Sequence, residues 1–228
     1  MKILVLNGSP KRNFSDTLVI TKSFLDGMNE ISKNEITKID VIDSHIEYCR
    51  GCLSCMRNGG KCIIEDDMEG ILEKILSSDL LLFSFPLYCY GMPACLKALI
   101  DRTISLSSIS MKKTAERHEH VAQADFSHIR YLMICGCGFP NSQQNFEAMT
   151  MQFHLMFGND STIITVSEAP MFNAPEAEPV TRPFLETVRN AGHEFAENGI
   201  ISQKTMKILS TPMIPEEVYA DICNGNAH

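Results

Sequence analysis

The chain is expected to fold as a doubly wound α/β domain: a five-stranded parallel sheet with helices on both faces, followed by a helical C-terminal tail. Three observations predict it. Strand-like and helix-like segments alternate five times along the sequence. Most strand candidates are continuous apolar runs, as strands covered on both faces require. With 228 residues the chain can bury one sizeable core without disulfide staples.

Ile3-Leu4-Val5-Leu6, closed by Asn-Gly-Ser-Pro, reads as the first strand. A secretory signal would carry a longer apolar stretch ending in small residues. Leu18, Val19, Phe24, Leu25, Met28 and Ile31 recur at helical spacing, which predicts a helix over 16–31. Residues 36–42 alternate weakly and read as a second strand. Asp66 and Glu69 mark a helix start, giving a helix over 66–76. Leu80 to Phe85 is the clearest buried strand, and Pro93 opens a helix reaching Ile104. Residues 107–127, with Lys112, Lys113, Glu116, Arg117, His118 and Glu119 close together, read as a polar insertion with some helix. A strand over 129–135, a helix over 142–157 and a strand over 162–166 complete the alternation. Pro170, Pro175, Pro179 and Pro183 then break the pattern before a helix over 184–198. Residues 1–200 are expected to form the domain. Residues 201–228, with two short helical segments, are expected to pack on it or on a neighbouring subunit.

Lys and Arg number 20 against 28 Asp and Glu, a net charge of −8, so the basic face of a nucleic-acid binder is not expected. Hydrophobic residues at 44% and charged residues at 21% fit a folded globular chain rather than a disordered one. No run of 18 apolar residues exists, so no membrane-spanning helix is expected. Four of the nine cysteines crowd between Cys49 and Cys62. Without a signal sequence, that crowding points to the cytoplasm and to metal or redox chemistry rather than a disulfide framework. The histidines lack metalloprotease spacing, and no Ser/His/Asp or Cys/His arrangement can be assembled, so no catalytic acid or base is assigned.

Gly8-Ser9-Pro10-Lys11-Arg12-Asn13-Phe14-Ser15-Asp16-Thr17 runs from the first strand straight into a helix. It supplies hydroxyls at Ser9, Ser15 and Thr17, the Lys11 cation and the orphan amides of a helix N-terminus, which together suit a phosphate monoester. The G-x-x-x-x-G-K-[ST] loop of nucleoside triphosphatases is missing, and so is the G-x-G-x-x-G dinucleotide fingerprint, because Asn141 follows Gly136 and Gly138. The segment Pro86-Leu87-Tyr88-Cys89-Tyr90-Gly91-Met92-Pro93 follows the third strand. It offers Tyr88, Tyr90 and Met92 as walls for a planar ring, with Gly91 admitting close backbone approach. Cys135-Gly136-Cys137-Gly138-Phe139 should supply the opposite wall, with Cys135 as a buried small hydrophobe. Cys49-x2-Cys52-x2-Cys55-x6-Cys62 has the spacing of a [4Fe–4S] site. A four-cysteine zinc site or a set of unmetallated thiols remains open on the same spacing.

Three segments over roughly residues 1–105 carry a family resemblance: strand–GSPKRNFSDT–helix, the four-cysteine run through Met68, and SFPLYCYGMPACLKALIDR ending at Arg102. Together they resemble the flavodoxin-like NAD(P)H-dependent FMN reductases, in particular their iron–sulfur flavoprotein branch. The resemblance implies a flavodoxin-like fold and FMN phosphate on Ser9, Lys11, Ser15, Asp16 and Thr17. That family often carries Arg where Lys11 stands and Asn where Asp16 stands, so contact at Asp16 is expected from its amide. It further implies that Pro86, Leu87, Tyr88, Cys89, Gly91 and Met92 hold the flavin, with Gly136, Cys137 and Gly138 as a third contacting loop. In that branch Cys49, Cys52, Cys55 and Cys62 would hold a [4Fe–4S] cluster. The implied activity is an FMN-dependent NAD(P)H oxidoreductase, with reduced nicotinamide as co-substrate, a small-molecule or protein electron acceptor, and a homodimeric or homotetrameric state. A flavodoxin-type electron carrier and a thiol-based redox sensor are the alternatives.

Overall fold

A computed structural model describes residues 1–115 and 117–225. Two sequence readings extend past these limits: Glu116 in the insertion and the tail end at 226–228 lie outside the described residues.

The elements run β1 (Lys2–Asn7), α1 (Asp16–Ile31), β2 (Glu35–Asp40), α2 (Met68–Leu76), β3 (Leu80–Pro86), α3 (Ala94–Arg102), β4 (Ser107–Lys113) and β5 (His118–Ala122). They continue with β6 (Arg130–Gly136), α4 (Glu147–Phe157), β7 (Thr162–Val166), α5 (Glu178–Asn198), α6 (Gln203–Leu209) and α7 (Glu216–Cys223). The main sheet has the order β2-β1-β3-β6-β7, and every pairing in it is parallel. From β1 the chain goes outward to β2 and then returns to β3 on the other side, so the order reverses between β1 and β3. In such sheets the ligand crevice opens at the carboxyl ends of the strands flanking that reversal.

Side chains alternate between two cores, as the period of two along a strand demands. Ile3, Val5, Leu80, Leu82, Leu132, Ile134, Ile164 and Val166 pack with α1 and α5. Leu4, Leu6, Leu81, Phe83, Phe85 and Met133 pack on the other face with α2, α3 and α4. The helix pair α1 and α5 touches backbone to backbone. A Cβ added at Gly192 would lie 1.9 Å from the Phe24 carbonyl oxygen, and one at Gly27 would lie 1.8 Å from that of Arg189.

Three element readings are corrected. Among the described residues the 107–127 insertion forms an antiparallel hairpin from β4 and β5 and carries no helix. Ser108, Ile109, Ser110 and Met111 alternate with the strand period, and the Thr114 amide and hydroxyl both bond the Arg117 carbonyl to close the turn. Helix α4 starts at Glu147 rather than 142, because Asn141 caps the Gln143 amide and Gln144 takes φ +60°, folding 141–146 into turns. Helix α5 starts at Glu178, ahead of the expected break. Pro179 sits in its first turn, where a missing N–H costs nothing, and only Pro183 lies in the interior.

The tail packs back on the domain. Leu209 of α6 joins the α1–α5 core, and Tyr219 of α7 is 3% exposed, so it is buried against the body rather than left in solvent. Among the described residues no helix is long and apolar enough to cross a membrane.

Candidate functional site

The loop after β1 is organised by Asn7, which sequence reasoning passed over. Its buried side chain donates to Asp40 Oδ1 at 2.6 Å and accepts from the Ser9 amide at 3.2 Å, tying the end of β1 to the end of β2. An Asn immediately before Gly-Ser-Pro was the available signal, since Asn bonds its own backbone two residues on. Ser9 Oγ in turn accepts from the Lys11 amide at 3.3 Å. Arg12, held at φ +51°, reaches across to Asp43 after β2. Ser15 is the N-cap of α1 and accepts from the Leu18 amide at 3.2 Å.

Ser9, Ser15 and Thr17 are all buried, and Ser9 and Ser15 shape the loop through the bonds just described. Among the described residues the amides of Asp16 and Thr17 meet no acceptor, leaving two orphan donors at the positive end of the α1 dipole. Lys11 Nζ pairs with Asp16 Oδ2 at 2.7 Å, and Asn173 from the far end of the sheet donates to Asp16 Oδ1 at 2.6 Å. The Lys11 side chain is 56% exposed, so it can turn from Asp16 to an incoming anion. Two free amides and an exposed ammonium fit a phosphate monoester, which the Asp16 carboxylate opposes.

The loop after β3 stands next to it across the strand-order reversal. Pro86, Leu87, Gly91 and Met92 are half-buried, and Tyr88, Cys89 and Tyr90 are exposed. Tyr88 and Gly91 exchange two backbone hydrogen bonds of 3.0 Å, closing a two-residue turn with Cys89 at φ +49° and Tyr90 at φ +63°. Such a turn is ordinarily made with Asn and Gly. Two side-chain-bearing residues in the left-handed region cost of order 1–3 kcal/mol each, and strain of this kind gathers at ligand sites. Phe139, from the loop after β6, lies almost parallel to Tyr90, at 11° with centroids 6.3 Å apart, and both rings are exposed. A planar ring arriving at this edge would find aromatic faces from two loops.

The third predicted loop divides. Gly138 is exposed, but Gly136 is buried, and a Cβ there would come within 2.7 Å of Ala169 Cβ. Gly136 is thus a close-packing position. Cys137 is packed likewise. Its side chain is buried, its amide bonds Val166 O and its carbonyl accepts from Ala169, so it belongs to the body of the domain. Cys135 is fully buried as expected, and burial pushes its thiol well up.

Beside Cys137 sits Glu168, buried at φ +56°, which no sequence signal marked. Its carboxylate accepts from the Met213 and Ile214 amides of the tail at 2.6 and 3.3 Å. Burial raises the Glu168 carboxyl above its ordinary value; the two amides oppose that rise, and nearby Glu216 adds to it.

The four clustered cysteines occupy the segment between β2 and α2, whose helical pieces are the 3-10 turns Val41–Asp43 and Cys55–Arg57. All four line one small cavity of about 20 Å³ together with Arg102. Cys49 and Cys52 are exposed, Cys62 is intermediate and Cys55 is buried. Burial, then the neighbouring Cys62 and Cys49, push the Cys55 thiol up, while hydrogen bonds from Ser54 pull Cys52 down. Among the described residues no three His, Cys, Asp or Glu side chains are drawn into a metal-holding group. A four-thiol donor set around one cavity does suit a cluster or zinc chemically. An open groove of about 930 Å³ flanks this loop, bordered by Lys61, Cys62, Leu72, Arg102 and Gln123.

A family model described as flavodoxin-like fold matches residues 1–159. The chain belongs to the flavodoxin-like family. Among curated relatives of this family member, an iron–sulfur flavoprotein of Methanocaldococcus jannaschii is 33% identical over 105 residues, which cover 45% of this chain and 52% of that one. A Bacillus subtilis chain named as an NAD(P)H-dependent FMN-containing oxidoreductase is 31% identical over 106 residues, covering 45% of this chain and 51% of that one. The chain thus spans about half the length of the curated relatives it matches. Among solved structures, an FMN-dependent NADH-azoreductase from Bacillus anthracis in complex with FMN superposes with a TM-score of 0.60 at 18% identity, covering 86% of this chain and 99% of that one. At that identity the superposition speaks for the flavodoxin-like fold alone.

Proposed function

We propose that the chain is an FMN-dependent NAD(P)H oxidoreductase of the flavin- and quinone-reductase kind. The observation that carries this reading is the pair of orphan amides at Asp16 and Thr17, set beside the strained Tyr88–Gly91 turn at the β1/β3 reversal. FMN bound there would supply the acceptance of hydride from reduced nicotinamide and its onward release as one or two electrons. The chain's own part is to hold and orient. Asp16 and Thr17 donate their amides to the phosphate, and Lys11 leaves Asp16 to neutralise it. Ser15 keeps the helix start in register. Tyr88, Tyr90 and Met92 wall the ring, Gly91 lets backbone approach it, and Phe139 faces it from the β6 loop.

We further propose that Cys49, Cys52, Cys55 and Cys62 bind a [4Fe–4S] cluster, supported by the names of the curated relatives and by the one cavity the four thiols share. The cluster would carry electrons onward singly to a small-molecule or protein acceptor. A homodimer or homotetramer working in the cytoplasm completes the reading.

Rapid mixing of anaerobic, FMN-loaded protein with NADH and with NADPH tests the activity. Bleaching of the flavin band at a rate matching turnover with either nucleotide is expected. Bleaching too slow for turnover with both would make the chain a flavodoxin-type carrier. Failure of the apoprotein to take up FMN would overturn the reading outright. Iron, sulfide and zinc analysis of the same preparation decides the cluster.

A further inference from the structure

A long loop with almost no regular structure must be held by side chains. Around the cysteines that holding converges on one residue. The loop base is clipped where the His45 amide donates to Asp67 Oδ2 at 2.7 Å and the Glu47 amide donates to Asp66 Oδ2 at 2.8 Å. Asp66 then receives Arg102 in a two-pronged pair, Nη1 to Oδ2 at 2.6 Å and Nη2 to Oδ1 at 3.1 Å. Both side chains are buried, at 2% and 0% exposure, which lessens solvent screening of the pair. The same guanidinium donates to the Glu47 carbonyl at 2.7 Å, and Nη2 lies 3.6 Å from Cys62 Sγ.

A buried ion pair is a poor device for stability alone, since apolar residues of the same volume often do as well. What distinguishes this one is its output: a permanent cation placed on a cysteine sulfur. Arg remains protonated in any protein environment. Asp66 balances the charge, but it is the guanidinium that touches the sulfur. Arg102 is also the last residue of α3, and α3 begins directly after the Tyr88–Gly91 turn. Nine helical residues rise about 13 Å, so one rigid rod fixes the spacing between the proposed ring site and the cysteine cavity.

We propose that Arg102 is the positioning residue of the cysteine centre: held by Asp66, it fixes Cys62 in the cavity and sets the centre's reduction potential through its hydrogen bond to the sulfur. Hydrogen bonds to sulfur and local net charge are the levers by which proteins tune such potentials. This inference rests on the cluster reading above.

The test uses full-length, anaerobically purified, FMN-loaded protein as wild type, Arg102→Lys, and the double variant Asp66→Asn with Arg102→Gln, which keeps neutral hydrogen bonds in place of the buried charges. FMN, iron and sulfide per chain and the cluster midpoint potential are measured on each. FMN content should be unchanged throughout. In the double variant the midpoint should fall, changing the oxidised-to-reduced ratio at the wild-type midpoint by about tenfold, or 59 mV for a one-electron couple. Arg102→Lys keeps the charge but not the fork, so it should lose iron while its remaining cluster stays near the wild-type potential. Wild-type iron content and potential in both variants would overturn the proposal and leave the cluster reading intact. Wild-type protein holding FMN but no iron or sulfide would overturn the cluster reading and take this proposal with it. Should the double variant lose its FMN through misfolding, Arg102→Lys decides alone, and full iron there overturns the proposal.

Discussion

Asp16 is the residue whose chemistry runs against its place. A carboxylate at the first position of α1 is favourable to the helix dipole but unfavourable to a phosphate at the same spot. Asp16→Asn should therefore tighten FMN binding by about two- to fivefold, at the scale of a single helix-terminal charge, as read by quenching of flavin fluorescence on titration of the apoprotein. Glu168 makes a pH prediction. Its carboxyl is raised in the folded chain, so it is protonated more readily folded than unfolded. Its contribution to stability is full below the ordinary glutamate value and declines as pH rises through the raised one. Glu168→Gln should flatten that decline, so denaturant midpoints of the two proteins should diverge in favour of the variant as pH rises from 4 to 7. The residues of the loop after β1 could be singled out in the sequence because Gly8, Ser9, Lys11 and Ser15 run straight into a helix start. Glu168 could not, since its partners are tail amides more than forty positions away that no local pattern announces.

At the scale of elements, β1, β3, β6, β7 and helix α1 were readable because their apolar residues pack into the two cores. The hairpin β4–β5 was not, since its charged residues are common to solvated helices and exposed strands alike, and only the alternation of Ser with Ile109 and Met111 distinguishes them. Helix α5 was misjudged at its start because Pro179 falls in its first turn, where it costs no hydrogen bond, and the helix runs on through Pro183. The α1–α5 contact carries the sharpest structural prediction. Gly192→Ala would improve helix propensity by nearly 1 kcal/mol in isolation, yet its methyl group would collide with the Phe24 backbone. A net loss of about 1–3 kcal/mol is expected, the usual cost of overpacking, seen as a lower midpoint in thermal unfolding. A variant as stable as wild type would show that the two helices can part at no cost.

For the whole molecule, the decisive fact is where the site's support comes from. The proposed phosphate loop is built at the start of the chain, but the face of α1 behind it, with Ile20, Phe24 and Met28, is covered by Val188, Ala191 and Phe195 of α5. The family match ends at 159, before β7 and α5. A fragment of residues 1–159 should then lack a cooperative melt by circular dichroism and should fail to bind FMN, although every proposed flavin contact lies within it. During synthesis on the ribosome the same dependence sets an order of events. Helix α1 emerges first and waits with an oily side uncovered until the last long helix has been made. Loading of the proposed FMN then has to wait until α5 has been made and has closed over α1.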